Sequence, residues 1–256
     1  MDVLTIVGLV LGVTAIVAGQ LMEGGNVDSL LQLPAAMIVF GGTIGAVMVN
    51  YPISVVKLTI KNLRMLFTEP KESPAGYINQ IVAFSTISRK DGLLALEQKA
   101  ATIEDPFFRK GLRLVVDGTD PKTIRETLEI EIAQEEEDLI VSAKPLESAG
   151  GYSPTIGIIG AVLGLIHVME NLADPSKLGA GIATAFVATI YGVGAANLIF
   201  LPLAGKMKVK VRKMAVLKSL ILEGLLAISA GENPRNTKER LEGFLTEEQR
   251  EGIDKK

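Results

Sequence analysis

The chain has 256 residues, 48% hydrophobic against 21% charged, and its mean hydropathy of +0.36 is that of a protein with membrane-spanning parts. The absence of cysteine excludes disulfides and thiolate metal sites, and a single histidine leaves no zinc-protease or His-cluster centre. The net charge of −3 says little, because the sign alternates along the chain, and no nucleic-acid partner is expected.

A membrane span needs roughly 20 mostly apolar residues. Val3–Met22, Leu33–Val56, Ser153–Met169 and Leu178–Leu203 qualify, and each lacks Asp, Glu, Lys and Arg. The first run is expected to be a retained span. Asp2 stands where a signal peptide carries basic residues, the run is too long for an h-region, and no A-x-A site follows. The loop Glu23–Gln32 has no Lys or Arg, and Glu170–Lys177 has only Lys177. Lys57, Lys61 and Arg64 follow the second run, and Lys206, Lys208, Lys210, Arg212 and Lys213 follow the fourth. The positive-inside rule then makes both short loops external and puts both termini in the cytoplasm. The expected division is 1–56 for two spans, 57–149 for a cytoplasmic insert, 150–205 for two further spans and 206–256 for a cytoplasmic helix and tail. Membrane lipid surrounds the spans, and the basic stretch after the fourth is read as fixing topology rather than binding lipid head groups.

The insert reads as helical. Pro74–Lys99 carries Ile78, Ile81, Val82, Ile87, Leu93, Leu94 and Leu96. Asp105-Pro106 is a helix start and Asp117-Gly118 a stop. Asp120-Pro121 starts another helix, with Ile124, Leu128, Ile132, Leu139 and Ile140 as its stripe. Glu135-Glu136-Glu137-Asp138 reads as a solvated face. Beyond the fourth run, Val209, Val211, Met214, Leu217, Leu220, Ile221 and Leu225 continue a helix towards Gly231. Asn233-Pro234 starts a last helix through Leu245, and Thr246–Lys256 reads as a frayed end. No strand pattern appears. The expected fold class is an all-α membrane protein: four transmembrane helices, a helical cytoplasmic insert between the second and third, and a cytoplasmic helical extension.

The third and fourth runs carry the chemistry. Gly157, Gly160 and Gly164 recur at helical spacing, as do Gly181, Ala185, Ala188, Gly192 and Ala196. Small residues so spaced let helix backbones approach, within one chain or between copies. Thr155, Thr184 and Thr189 are expected to bond their own backbone carbonyls one turn back. The Asn197 amide must find partners in a dry environment. Pro154 and Pro202 read as span-boundary prolines, where the helix ladder is already incomplete, and His167 as an interfacial residue. No nucleotide-binding loop, metalloprotease motif or nucleophile elbow occurs, so no enzyme activity, cofactor or metal is expected. Ion pathways normally use intramembrane acids, and these runs have none. Either the chain conducts no ions, or a partner supplies the carboxylate.

Ser153-Pro154-Thr155-Ile156-Gly157-Ile158-Ile159-Gly160-Ala161-Val162-Leu163-Gly164-Leu165-Ile166 resembles the third span of the flagellar motor stator A subunit, the MotA/PomA family. Ala188-Thr189-Ile190-Tyr191-Gly192, with Asn197 and Pro202, resembles its fourth. Arg89-Lys90-Asp91-Gly92-Leu93-Leu94-Ala95-Leu96-Glu97 resembles its charged cytoplasmic motif, and Gly231-Glu232-Asn233-Pro234-Arg235 its C-terminal G-x-N-P-R. The resemblance implies a homo-oligomeric ring of five copies around two B subunits (MotB/PomB-like), whose single spans carry the ion-binding Asp. Ion flow turns the ring, and the ring turns the rotor through the switch protein FliG.

By the same resemblance, Arg89, Lys90 and Glu97 meet the rotor. Gln98 and Lys99 depart from the acids that often follow the Glu. Pro154 and Pro202 couple ion flow to movement, and Thr189 faces the B-subunit helix with Thr155 and Ala161 nearby. Sodium-type members resemble G-M-I-G-T where this chain has Gly157-Ile158-Ile159-Gly160-Ala161, and carry an Asp where Gln32 stands. A hydroxyl is a ligand for a dehydrated hard cation, and Ala161 removes it. Proton coupling is the expectation. A TolQ/ExbB-type energiser or a non-conducting scaffold are the rival readings.

Overall fold

A computed structural model describes residues 2–68, 73–173, 175–247 and 249–250, with the backbone alone for 175–177. The Lys177 side chain and the expected frayed stretch 251–256 lie outside the described residues.

The chain opens on α1 (Val3–Met22), capped by the Asp2 side chain, which accepts from the Thr5 N–H at 3.4 Å. A 3-10 turn, Val27–Leu30, leads to α2 (Leu33–Ala36), a π turn (Met37–Gly41) and α3 (Gly42–Asn50). The run Leu33–Val56 is therefore not one helix. Tyr51 and Pro52 are extended, with ψ of 142° and 152°. Proline lacks an N–H and drives its predecessor out of the helical region, so residues beyond it start α4 (Ile53–Leu63).

The insert contains α5 (Pro74–Asp91), α6 (Glu97–Thr102) and α7 (Pro106–Val116). The expected helix through Lys99 is broken at Gly92, whose φ of +85° no helix accommodates, and a 3-10 turn, Leu93–Leu96, follows. Asp105 caps α7 by accepting from the Phe108 N–H at 2.9 Å, and Gly118 at φ +71° closes it.

α8 (Pro121–Glu170) runs for 50 residues straight through Pro145 and Pro154. Pro154 is thus a helix-interior residue and not a boundary. α9 (Pro175–Gly194) passes through a π turn, Ala195–Phe200, into α10 (Leu201–Ser229). Pro202 likewise sits inside a continuous helix. It cannot donate to the Leu198 carbonyl, and the π turn just before it is where the ladder changes register. α11 (Pro234–Glu242), capped by Asn233, ends short of Leu245. Four helical stretches are long and apolar enough to cross a membrane: Val3–Met22, Val27–Asn50, Pro121–Glu170 and Leu178–Ser229. No strand occurs among the described residues.

The chain divides into two compact units, Met1–Glu69 with Leu139–Val209, and Pro70–Asp138 with Lys210–Lys256. In the first, Ala35, Val39, Val187 and Ala188 form an apolar cluster flanked by Leu30 and Tyr191. The Tyr191 hydroxyl donates to the Leu30 carbonyl at 2.5 Å and accepts from the Gln32 N–H at 3.4 Å. No residue of α1 is buried, and its N-terminus is tied by Lys206 Nζ to Asp2 Oδ2 at 2.5 Å.

The second unit has a conventional core. Ile78, Ile81, Leu96, Phe108, Leu112, Ile124, Leu128, Leu220, Ile221 and Leu225 are buried together. Arg125 binds Glu223 at 2.8 Å, and that bond raises its pKa above the ordinary guanidinium value against an opposing desolvation penalty. The acidic run is not uniformly solvated. Glu137 and Asp138 are exposed, but Glu135 pairs with Lys218.

Candidate functional site

Gly157, Gly160 and Gly164 of α8 and Gly181, Ala185, Ala188 and Gly192 of α9 are buried along one seam. The backbones approach so closely that side chains have no space. A Cβ at Gly157 would lie 2.8 Å from the Ala188 carbonyl oxygen, and one at Gly192 2.4 Å from that of Ser153. A Cβ at Gly164 would meet the Ala185 nitrogen and the Gly181 oxygen, each at 2.8 Å. The buried Ser153 hydroxyl crosses the seam to donate to the Gly192 carbonyl at 3.1 Å. These glycines therefore serve packing within the chain.

The hydroxyls on the two helices are held locally. Thr155 donates to the Tyr152 carbonyl at 2.8 Å, Thr184 to Ala180 at 3.0 Å and Thr189 to Ala185 at 3.3 Å. Thr189 is half-buried and Thr155 exposed. Asn197 is exposed within the second π turn, and its amide donates to the Val193 carbonyl at 2.9 Å, within its own helix. Ala161 is half-buried beside the seam, Pro154 is half-buried and Pro202 is exposed. His167 is exposed.

Outside the seam, α8 presents Ile158, Ile159, Val162, Leu163, Leu165 and Ile166 uncovered by this chain, and α9 presents Ile182, Phe186, Ile190 and Val193. The arrangement offers small apolar surface, hydroxyl oxygens and no acid. It can line a path, but has no carboxylate to take up a proton.

The charged motif lies in the other unit. Arg89 and Lys90 are exposed in the last turn of α5, where positive charge complements the helix dipole. The chain turns at Gly92, and Glu97 opens α6, also exposed, with Gln98 and Lys99 beside it. Leu96 at 0% exposure and Ala100 at 2% fasten this segment to the core. The motif presents opposite charges on either side of a glycine turn.

Sequence reasoning missed Ser153 and Tyr191 as tethers and both π turns. Tyr191 had a signal: a phenol in an apolar run needs a partner for its hydroxyl. The π turns had none beyond Pro202 itself.

Residues 99–219 match the MotA/TolQ/ExbB proton channel family, and residues 6–92 match the motility protein A N-terminal family. The chain is 38% identical to motility protein A of Helicobacter pylori over 245 residues, 96% of this chain and 95% of that protein. The structure of C. jejuni MotAB is similar with a TM-score of 0.92 at 34% identity, covering 96% of this chain and 97% of that one. The flagellar MotAB stator complex from Bacillus subtilis is similar with a TM-score of 0.90 at 30% identity, covering 97% and 98%.

Proposed function

The chain belongs to the motility protein A family of flagellar stator subunits, and we propose that it works with a one-span B subunit to turn a proton gradient into torque. The observation that carries this reading is the α8–α9 seam. It is closely packed, dotted with Thr hydroxyls, and free of Asp, Glu, Lys and Arg across Ser153–Met169 and Leu178–Leu203. A wall of this kind conducts ions only if another protein brings the acid. The uncovered apolar faces of α8 and α9 are where a partner span and further copies pack, in a ring of five around two B subunits.

Both termini and the 57–149 insert face the cytoplasm of a cell whose inner membrane holds the spans. The insert presents Arg89, Lys90 and Glu97 to the switch protein FliG. Thr189, Thr155 and Ala161 face the partner helix, and Pro154 and Pro202 sit where the two long helices flex. No nucleotide is needed, because each unit charge crossing 100 mV yields roughly 2.3 kcal/mol.

The proton reading rests on Ala161, which offers no oxygen to a dehydrated cation. Swimming in sodium-free medium tests it. Rotation continues there if protons drive the motor. Rotation that stops and returns on adding sodium refutes proton coupling.

A further inference from the structure

A polar chain in the second unit has no part in the reading above. Ser85 lies one turn before Arg89 on α5, is 1% exposed, and donates its hydroxyl to the Glu232 carbonyl at 3.3 Å. Glu232 stands in the turn after α10, where Gly231 takes φ +65° and the Glu232 N–H returns to the Ala227 carbonyl at 3.0 Å. The Glu232 carboxylate accepts from Arg240 of α11 at 3.1 Å. Arg240 also donates to the Glu223 carbonyl at 3.1 Å, and the Glu223 carboxylate binds Arg125 of α8 at 2.8 Å. Asn233 caps α11, and the fully buried Thr237 donates to its carbonyl at 3.2 Å. The turn is thus fastened from α10 and α11, α8 is tied to α10 through Arg125, and the carbonyl of Glu232 receives α5.

The rest of the buried face of α5 is Tyr77, Ile78, Ile81 and Phe84. Apolar contacts are non-directional and tolerate sliding or rotation of a helix. A hydrogen bond has a required length and angle, and a satisfied network fixes one arrangement.

We propose that the 231–235 turn is a brace that sets the orientation of the Arg89–Glu97 motif, with Ser85 and Arg240 as its positioning residues. The inference rests on the reading that this motif meets the rotor. Ser85→Ala leaves the Glu232 carbonyl without the Ser85 donor, and Arg240→Gln frees the Glu232 carboxylate. Arg240→Lys keeps a cation for it.

The test expresses these variants, with Arg89→Glu, in a motile strain lacking its own A subunit. It reads the torque step added by each newly engaged complex on a bead assay, the number of fluorescently tagged complexes at the motor, and proton influx. A brace lowers the step about twofold or more in Ser85→Ala and Arg240→Gln, with influx per complex unchanged. Arg240→Lys restores it. Because the step is read per complex, partial loss of assembly does not mask the effect. Wild-type steps in Ser85→Ala and Arg240→Gln, with Arg89→Glu defective, overturn the brace and leave the rotor contact standing. A wild-type step in Arg89→Glu overturns both. Influx per complex falling in parallel with the step marks a general structural loss and also overturns the brace.

Discussion

The Ser153 hydroxyl reaches the Gly192 carbonyl only because residue 192 has no side chain in the way. A Cβ there would sit 2.4 Å from the Ser153 carbonyl oxygen, so Gly192→Ala costs about 1–3 kcal/mol of overpacking. Thermal melting in detergent should show a lower midpoint for Gly192→Ala. Gly205→Ala, whose Cβ meets nothing within 4 Å, should not lower it. Thr189 behaves differently. Its hydroxyl bonds its own helix at Ala185, so Thr189→Ala should melt like wild type while reducing ion flux with the B subunit. Unchanged flux would remove that hydroxyl from the pathway. Ala161→Leu should also lower flux, because a close-packed wall has no room for the added volume. The seam was legible in the sequence because glycine spacing of three and four residues has one geometric use on a helix. The self-bonding of Thr155, Thr184 and Thr189 was legible for the same local reason. The Asn197 amide, whose partner sequence reasoning left open, bonds its own helix one turn back at Val193 in the same way.

Proline acts at the scale of the element, with opposite results at different sites. Pro52 ends α3 because Tyr51 adopts an extended backbone, whereas Pro154 lies within the unbroken α8. Sequence reasoning placed Pro154 at a span end and left Pro52 unremarked inside the run Leu33–Val56. Pro202 follows the π turn Ala195–Phe200. Pro202→Ala restores an N–H for the Leu198 carbonyl and removes a penalty of about 3 kcal/mol from the helix interior. The variant should melt higher than wild type yet swim more slowly, if bending at this point is used. A variant that swims normally would make the π turn a packing feature alone. Caps were read correctly at Asp105, Asn233 and Gly118 because they are local chemistry. The break at Gly92 was missed because apolar periodicity continues through Leu93 and Leu96 on either side of it. That break separates Arg89 from Glu97, and charge reversal at either should reduce motility about tenfold or more while complex levels in the membrane hold, as for opposite charges at an interface. Loss of the complexes would instead make both residues structural.

For the whole molecule, division of labour is the organising feature. The apolar runs Val3–Met22, Leu33–Val56, Ser153–Met169 and Leu178–Leu203 carry no Asp or Glu, and the unit built on the helical core displays Arg89, Lys90 and Glu97. Fold class and family were legible because span length, loop charge and the motifs at 89–97, 153–166, 188–202 and 231–235 agree in order. The faces covered by partners were not legible, since Ile158, Val162 and Phe186 have the same apolar character whether lipid or protein meets them. Two helical stretches long and apolar enough to cross a membrane, Val3–Met22 and Val27–Asn50, precede the insert. The most direct measurement is cytoplasmic acidification in cells expressing this chain, its one-span partner, or both, under an inward proton gradient without sodium. Influx should require both proteins and should vanish when the partner's span Asp is changed to Asn. Influx through this chain alone, or none through the pair, would contradict a wall that borrows its acid.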